Sequence, residues 1–410
     1  MNLKEIAFKY ESPAMFLKIR DFPHIFLKKA KGVYFWDTER KKYLDMTSFF
    51  GVMNFGHSPD FIFKDIIKNK EILIHGLSDL FSNFYRVKLA EKLCELAGKD
   101  YEVIFLNTGS EAIEIALKTA YLYTKKEYII SFKNSYHGLT GLSLSITDRF
   151  QKKFFLPFLY KKIKTLPFPE NENQAEKIIY KIKKIIREFP VSTVIVEPIQ
   201  VRGGINIPPP FFLKDLYEIC KKEGLILILD EIFTGLGRTG KIFAFEWFNI
   251  KPDIICIGKG IASGFPLSAC LGKKEIMEAW KKDLEETLHA STFGGHPFSS
   301  FIAIKVLDKL KKMDFEKEII LKGDYIFKKF YELKEKYKII KNIKGKGLLI
   351  GVKIEKAKEI WKELLYKEKI LTILEGKNFQ VLALSPPFII DYSKIDEFFE
   401  KFEKIIKRRL

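Results

Sequence analysis

LILILDEIFTGLGRTG (residues 225–240) and PDIICIGKGIASGFPLSA (residues 252–269) are the parts of the sequence that decide the fold. Each contains a short apolar run, LILIL or IICI, with the length of a fully buried strand. The first run ends in Asp230, and the second is followed closely by Lys259. Open α/β sheets bind their ligands at the carboxyl ends of the strands, so both side chains are predicted to face one ligand site.

An acid and a lysine in these places suit pyridoxal phosphate. A lysine buried among apolar neighbours loses its proton more easily and can condense with an aldehyde. A carboxylate beside a pyridine nitrogen keeps that nitrogen protonated, so that the ring can accept electrons. The alternative is that Asp230 caps a loop and Lys259 is one surface lysine among many.

The glycines of the first part suggest a different ligand. Gly235, Gly237 and Gly240 spell GxGxxG directly after a strand, as in dinucleotide-binding proteins. The residues that follow, 241–250, do not begin a clear helix, and no acidic residue closes a second strand about twenty residues on. We therefore expect a mobile turn here and no nicotinamide site.

The composition predicts a globular protein with a large core. The chain has 410 residues, of which 47% are hydrophobic, which favours two domains. No apolar run approaches the length of a membrane span, and the N-terminal residues lack the apolar core of a signal peptide. The four cysteines show no CxxC spacing, which favours buried thiols in a reducing cytoplasm.

The formal net charge of +19 raises the alternative of a non-catalytic protein that binds nucleic acid. The excess is almost entirely lysine, spread along amphipathic segments, and no compact basic block with interleaved aromatic residues occurs. A solvated lysine surface explains this pattern better, and a basic field would also favour anionic substrates such as oxo acids. We expect no nucleic-acid partner, no membrane association and no metal site.

A strand-to-helix turn near residue 108 is a candidate phosphate site. The apolar strand 101–106 is followed by Asn-Thr-Gly-Ser-Glu and then by an amphipathic helix. Thr108, Gly109 and Ser110 would expose backbone N–H groups beside the positive end of that helix. The alternative is an ordinary helix cap, in which Glu111 interacts with the helix dipole.

Other candidate residues follow later strands or line a turn. Tyr136 and His137 follow one strand and could lie against a flat ring, although His137 could equally be structural. Glu197 ends the next strand, again at a carboxyl edge. Phe50 could line a pocket or belong to the core. The alternation of strands and helices predicts a mainly parallel sheet.

The pattern changes after Asp308. Amphipathic helices and short strands follow, which predicts a smaller α+β domain whose partner strands come from residues 30–50. We expect an N-terminal arm with part of the small domain at 1–55, a large cofactor-binding domain at 56–308, and the rest of the small domain at 309–410.

In order and spacing, these turns resemble the class III aminotransferases, pyridoxal-phosphate enzymes of the fold type I superfamily. The resemblance covers nearly the whole chain. The shared stretches are Thr108-Gly-Ser-Glu-Ala112, Tyr136-His-Gly138, Glu197-Pro-Ile-Gln200, Asp230-Glu231, Gly235-Leu-Gly-Arg-Thr-Gly240, Gly258-Lys-Gly260 and Ser291-Thr-Phe-Gly-Gly295. The resemblance implies an α/β fold, with a mostly parallel sheet of the seven-stranded type between helices and a smaller α+β domain.

The resemblance also implies roles for residues at matching positions. Lys259 would form the Schiff base with the cofactor and move the proton, and Asp230 would hold the pyridine nitrogen. Tyr136 would stack on the ring, while Gly109 and Ser110 would hold the phosphate. The implied cofactor-binding set further includes Thr108, His137, Glu197, Phe233 and Thr292.

The family transfers an amino group by a ping-pong reaction from an amino donor to a 2-oxo acid such as 2-oxoglutarate or pyruvate. Its members are homodimers in which the threonine matching Thr292 reaches the phosphate bound by the neighbouring subunit. Racemase or aminomutase activity within the same family is the nearest alternative, and it would retain Lys259 but need no acceptor.

Three positions depart from the family pattern. Phe233 stands where many members carry a glutamine that touches the ring oxygen of the cofactor. Ala383 occupies the place of an arginine that reads the substrate carboxylate, and Arg202 occupies that of a glutamate that can neutralise it. Because a guanidinium matches two carboxylate oxygens, Arg202 is predicted to hold the substrate carboxylate, and Phe50 is the other predicted substrate-binding residue. The alternative is that Arg202 forms a structural ion pair.

Overall fold

The structure is a computed structural model that describes residues 2–14, 24–68, 71–77, 80–281 and 286–409. The strands are β1 (Leu27–Lys31), β2 (Tyr34–Asp37), β3 (Lys42–Asp45), β4 (Tyr101–Leu106), β5 (Tyr128–Phe132), β6 (Ile163–Leu166), β7 (Val191–Val196), β8 (Ile226–Asp230), β9 (Ile254–Ile257), β10 (Ser268–Lys273), β11 (Ile340–Lys346), β12 (Leu349–Ile354), β13 (Ile370–Leu371), β14 (Ile373–Glu375) and β15 (Val381–Leu384). The helices are α1 (Leu3–Tyr10), α2 (Ser48–Gly51), α3 (Asp60–Lys68), α4 (Phe84–Ala97), α5 (Gly109–Thr124), α6 (Gly141–Ile146), α7 (Glu172–Glu188), α8 (Pro210–Glu223), α9 (Lys274–Met277), α10 (Pro297–Lys312), α11 (Phe315–Lys336), α12 (Ala357–Tyr366) and α13 (Tyr392–Lys407).

The large sheet has seven strands in the order β4-β10-β9-β8-β7-β5-β6. Only β10 runs antiparallel to its neighbours, and the other pairings are parallel. The apolar runs LILIL and IICI form most of β8 and the whole of β9, which lie side by side and are buried along their whole length. The predicted, mostly parallel α/β sheet is therefore confirmed.

Alternation along β8 explains why helices cover both faces of this sheet. Ile226 and Ile228 pack in an apolar cluster with residues of α5, whereas Leu227 and Leu229 pack in a second cluster with residues of α8. A strand that is apolar on both faces cannot leave either face in water. Helix α5 therefore lies on one face and α8 on the other, and the loops that follow the strands gather at the carboxyl edge.

Two smaller four-stranded sheets contain the remaining strands, in the orders β1-β2-β3-β13 and β11-β12-β15-β14. Strand β3 pairs in parallel with β13, with Leu44 opposite Ile370, so a strand of the C-terminal region joins a sheet whose other three strands lie near the N-terminus. The run GKGLLIGVKI (residues 345–354) contains the last residues of β11, the turn and the whole of β12, which pair as a hairpin. The first strand of that hairpin went unrecognised because lysines and glycines hide its two buried residues, Ile340 and Ile343.

The glycine turn is held firmly, contrary to the expectation of a mobile turn. Arg238 is 0% exposed, and its guanidinium donates hydrogen bonds to the carbonyls of Leu348 and Pro386 and to the side chains of Ser48 and Asn54. Burial lowers the pKa of Arg238 to about 9. These bonds join the turn to segments near both ends of the chain, so Arg238 holds the large and small sheets together.

Across the described ranges, none of the helices combines enough length with enough apolar character to cross a bilayer.

Candidate active site

A cavity of about 210 Å³ opens at the carboxyl edge of β7, β8 and β9. Its lining comprises Thr108, Gly109, Ser110, Tyr136, His137, Gly138, Glu197, Val201, Arg202, Asp230, Ile232, Phe233, Thr234 and Lys259. Asp230 and Lys259 thus face the same space, together with every other predicted site residue except Phe50 and Thr292. Larger surface cavities of about 450 and 410 Å³ contain none of the predicted residues.

Lys259 occupies a constrained and largely enclosed position directly after β9. Its φ of 46° lies in the left-handed region, where a side chain is disfavoured, as is common at active sites. Its ammonium group lies 3.8 Å from the centre of the Phe233 ring. Burial lowers the pKa of Lys259 to about 8; the charge of Asp230 opposes this change, and that of Arg202 adds to it. A substantial neutral fraction at neutral pH makes the amine a competent nucleophile.

Asp230 is oriented by its neighbours. One carboxylate oxygen lies 2.8 Å from Nδ1 of His137, and the other accepts a hydrogen bond from the Ile232 amide. The backbone N–H of His137 donates in turn to the Thr147 hydroxyl, which fixes the imidazole. Asp230 is 5% exposed, so its charge acts in a medium that screens it poorly.

Glu197 closes the cavity beside this pair. Its two carboxylate oxygens accept hydrogen bonds from the backbone N–H groups of Tyr136 and Val201. Burial raises the pKa of Glu197, the charge of His137 lowers it, and the nearby charge of Asp230 raises it further. Glu197 therefore fixes the backbone that carries the Tyr136 ring.

The first turn of α5 forms the opposite wall. The Thr108 hydroxyl accepts a hydrogen bond from the Glu111 amide, and the Glu111 carboxylate accepts one from the Thr108 amide, so the expected helix cap is present. The N–H groups of Gly109 and Ser110 have no partner within the helix and lie at the cavity. A helix cap and an anion site are therefore compatible here.

Gly138 allows two walls of the cavity to meet. Its φ is +125°, and a Cβ at this position would lie 2.1 Å from the Ser110 hydroxyl. The next amide, that of Leu139, donates to the same hydroxyl. Any side chain at residue 138 would push the turn after β5 away from the start of α5.

Arg202 forms the outer end of the cavity and is ion-paired. Its Nη1 lies 3.1 Å from Oε1 of Glu375, the last residue of β14, which is 2% exposed. The Arg202 guanidinium carbon lies 5.8 Å from the centre of the Phe50 ring and 5.4 Å from that of Tyr136. Phe50 thus borders this end of the site, within the short α2 turn, where it has a φ of 61°. The ion pair named as the alternative for Arg202 is present.

Two charged residues at this end were missed from the sequence. Arg149 donates from Nη1 to the Arg202 carbonyl at 2.9 Å, and Glu375 pairs with the Arg202 guanidinium. Neither lies in a shared family stretch, and they are distant from Arg202 in sequence. The only available signal was the scarcity of arginine, with nine in the whole chain.

Thr292 lies outside the cavity of its own chain. Its carbonyl is 2.9 Å from Nε2 of His75, whose ring contacts Phe293 edge-on at 5.5 Å between centres. Large apolar side chains near this place are exposed by between 49% and 74%. They are Leu73, Ile74, Leu77, Leu80, Phe81, Phe84 and Phe293.

The residues present fit the cofactor expected from the sequence. The cavity offers an enclosed lysine, an oriented carboxylate and the open N–H groups of a helix start. Nδ1 of His137 orients the Asp230 carboxylate, and Nε2 is buried without a hydrogen-bond partner among the described residues. A phosphorylated pyridine aldehyde would use the lysine, the carboxylate and the N–H groups of the helix start.

Comparison with known proteins gives consistent matches over the whole length. The family model described as aminotransferase class-III matches residues 18–406. An acetylornithine aminotransferase of Methanocaldococcus jannaschii is 33% identical over 391 residues, which are 93% of this chain and 93% of the relative. A leucine/methionine racemase of Thermococcus litoralis is 33% identical over 92% of this chain and 89% of the relative. The crystal structure of a Bacillus anthracis aminotransferase superposes with a TM-score of 0.89 at 26% identity, covering 100% of both chains.

Proposed function

Since the chain belongs to the class-III aminotransferase family, we propose that it transfers an amino group from an amino acid or ω-amino compound to a 2-oxo acid, using pyridoxal phosphate at Lys259. The observation that carries the assignment of the site is that Asp230 and Lys259 face one cavity of about 210 Å³. The expected acceptors are 2-oxoglutarate or pyruvate.

When bound, the cofactor supplies an electron-accepting ring that stabilises negative charge developing on the substrate carbon. Asp230 would keep the ring nitrogen protonated, and His137 would hold Asp230 in place. The N–H groups of Gly109 and Ser110 would bind the phosphate. Lys259, with its lowered pKa, would bind the aldehyde and afterwards carry the proton to and from the substrate carbon.

The enclosing residues would position these groups. Tyr136 would lie against one side of the ring, held by the contact of its amide with Glu197. Phe233 would keep water from the amine of Lys259, since its ring centre lies 3.8 Å away. Arg202 would hold the substrate carboxylate after exchanging Glu375 for it, with Phe50 at the rim.

A half-reaction assay tests this function most directly. Purified protein should carry a chromophore in the visible range, which an amino donor alone should convert and which pyruvate or 2-oxoglutarate should restore. A panel of α-amino acids, ornithine, 4-aminobutyrate and diamines would identify the donor. A protein that takes up no added cofactor and instead binds DNA would contradict the proposal.

The similarity to a leucine/methionine racemase favours one second candidate function. A racemase would use the same lysine and cofactor but would return the proton to the other face of the same substrate. Incubation of each L-amino acid without any 2-oxo acid separates the two activities. Formation of the D-enantiomer without conversion of the chromophore would favour racemisation.

We expect the capture of pyridoxal phosphate by apoenzyme to level off near pH 8. Only the neutral amine attacks an aldehyde, so the rate should rise about tenfold per pH unit below the pKa of Lys259, about 8, and stay flat above it. A solvated lysine, with a pKa of about 10.4, would continue to gain rate up to that pH. Stopped-flow absorbance between pH 6 and 10 measures this, and a rate still climbing at pH 9.5 would contradict it.

We also propose that the enzyme is a homodimer whose active sites are shared. Thr292 lies outside the cavity of its own chain, among apolar side chains that are exposed by about half or more. Large apolar side chains that are exposed in such number along one stretch of chain are typical of an interface. Thr292 of each subunit would then reach the phosphate in the site of its neighbour.

Hybrid dimers test this sharing. A dimer of one Lys259→Ala subunit and one Thr292→Ala subunit would contain one intact site, because the intact Lys259 and the intact Thr292 come from different chains. We expect each parent homodimer to be impaired and the mixture, after subunit exchange, to regain activity toward a quarter of wild type. No gain on mixing, despite exchange shown by mass spectrometry, would place Thr292 in its own site.

The proposed domain division follows the sheets. We assign residues 56–308 to the large domain, and 1–55 with 309–410 to the small one, since β3 and β13 belong to one sheet. A cytoplasmic location is also proposed. It is supported by four free cysteines, three of them buried, which suit a reducing compartment.

A further inference from the structure

The outer end of the site contains more charge than a single carboxylate requires. Arg202 and Arg149 lie together, joined by the hydrogen bond from Arg149 to the Arg202 carbonyl. Glu375 faces Arg202, and the amide of the next residue, Gly376, donates to the same carbonyl. Two guanidinium groups and one carboxylate therefore lie close enough for the charges of Arg202, Arg149 and Lys259 to act on Glu375.

We propose that Glu375 adjusts the charge of this end of the site, remaining ionised when the substrate has one carboxylate and taking up a proton when a dicarboxylate binds. The inference rests on the proposed function and names the substrate classes of the same site. In the ionised state the three groups carry a net charge of +1, which matches a monocarboxylate such as pyruvate or a neutral amino acid. With a proton on Glu375 the net charge is +2, which matches 2-oxoglutarate. Arg149 would supply the second cation.

The geometry of the ion pair between Arg202 and Glu375 is consistent with a proton on the Glu375 carboxyl group. Arg202 and Glu375 meet through one pair of atoms, Nη1 and Oε1. Oε2 of Glu375 and Nε of Arg202 are both buried and lack a hydrogen-bond partner within the described ranges. Buried arginine–carboxylate pairs gain most of their strength from two parallel hydrogen bonds, and a single contact leaves much of the desolvation cost uncompensated. The second oxygen of Glu375 is thus available for a proton.

The surroundings place the titration of Glu375 near neutrality. Burial raises the pKa of Glu375 to about 7, while the charges of Arg202, Arg149 and Lys259 lower it, in that order. Strand β15, which pairs with β14, contains no ionisable residue, and α12, which packs on the same strand, supplies none of the charges that act most on Glu375. With one substrate carboxylate at Arg202 and a second near Arg149, both guanidinium charges would be offset, which would raise this pKa further.

Two unreactive acids of equal length provide the test on the holoenzyme. Glutarate has two carboxylates and valerate has one, and neither has an oxo group. Above pH 7, the inhibition constant for glutarate should rise toward tenfold per pH unit, because binding requires a proton. The inhibition constant for valerate should vary with pH only through the other titrating groups of the site, which affect glutarate as well. The pH dependence of the glutarate-to-valerate ratio therefore reports the protonation of Glu375 alone. Calorimetry in buffers of different ionisation enthalpy should show uptake of about half a proton per site with glutarate at pH 7, beyond any uptake with valerate.

Substitutions identify the groups. Glu375→Gln should make the glutarate-to-valerate ratio independent of pH and remove the extra proton uptake. Arg149→Met should weaken glutarate by roughly tenfold or more and leave valerate unchanged, as expected for one lost charge-assisted hydrogen bond, while Arg149→Lys should retain part of the binding. Glu363→Gln is the matched control, because this buried glutamate pairs with Arg409 and should give wild-type ratios.

The possible outcomes separate this inference from the function itself. Parallel pH profiles for the two acids in an enzyme that completes the half-reaction would overturn the role of Glu375 and leave the aminotransferase assignment standing. A pH-dependent ratio that survives Glu375→Gln would overturn it equally. A protein without chromophore or half-reaction would contradict the proposed function instead.

Discussion

Lys259→Ala should reduce kcat by about 10⁴-fold, the upper end of what a positioned general acid–base contributes. The substitution removes both the amine that would bind the aldehyde and the group that would move the substrate proton, and the described cavity lining contains no other lysine. Borohydride reduction should no longer attach the cofactor to the chain, and peptide mapping by mass spectrometry measures that directly.

The matched control for this change is Lys162→Ala, since Lys162 is a solvent-exposed lysine paired with Glu127. This variant should keep wild-type kcat and should still be labelled at residue 259 on reduction. If Lys259→Ala retained a kcat within tenfold of wild type, the assignment of the covalent site would be wrong.

Asp230→Asn should lower kcat/KM by about 10³-fold. The amide keeps the size of the side chain but removes the charge that would hold the ring nitrogen protonated, and loss of one partner from a buried ion pair typically costs about 3–5 kcal/mol. The contact with Nδ1 of His137, now 2.8 Å, would also lose its charge. Single-turnover rates for the half-reaction measure the effect apart from product release.

Two further variants separate charge from position. Asp230→Glu restores the carboxylate one methylene further out and should recover part of the rate, whereas the exposed Asp60→Asn, which breaks only the surface pair with Lys31, should leave it unchanged. Equal rates for Asp230→Asn and wild type would show that the ring nitrogen needs no carboxylate here.

The large sheet could be predicted because its strands carry their own signal. β8 and β9 are short apolar runs bounded by Gly or Pro, and burial on both faces leaves no polar residue within either run to confuse the pattern. β11 lacked such a signal, because only Ile340 and Ile343 are buried, and the other residues of the strand (Lys-Asn between them and Lys-Gly-Lys after them) are typical of a loop. The rigid hold on the glycine turn could not be predicted from the sequence either, because it depends on hydrogen bonds from Arg238 to carbonyls more than one hundred residues away.

The candidate site divides in the same way. Residues at the carboxyl end of a strand, such as Asp230 and Glu197, could be placed from the sequence because parallel strands end at one edge. Arg202 could be identified because it departs from the family pattern, but its ion-pair partner, Glu375, could not be predicted. Glu375 comes from a strand of a different sheet, and its approach to Arg202 depends on how the two sheets pack, which no local pattern records.

The parallel pairing of β3 with β13 has a consequence for synthesis on the ribosome. Roughly 300 residues separate the two strands in the chain, and at about 5–20 residues per second the second one emerges tens of seconds after the first. Until then the edge of β3 has no neighbour, and an open edge can pair with another nascent chain. The large sheet can form during this interval, whereas the sheet that contains β1, β2 and β3 is incomplete until β13 has been synthesised. Newly made chains should therefore depend on chaperones for longer than a chain whose sheets are each local in sequence.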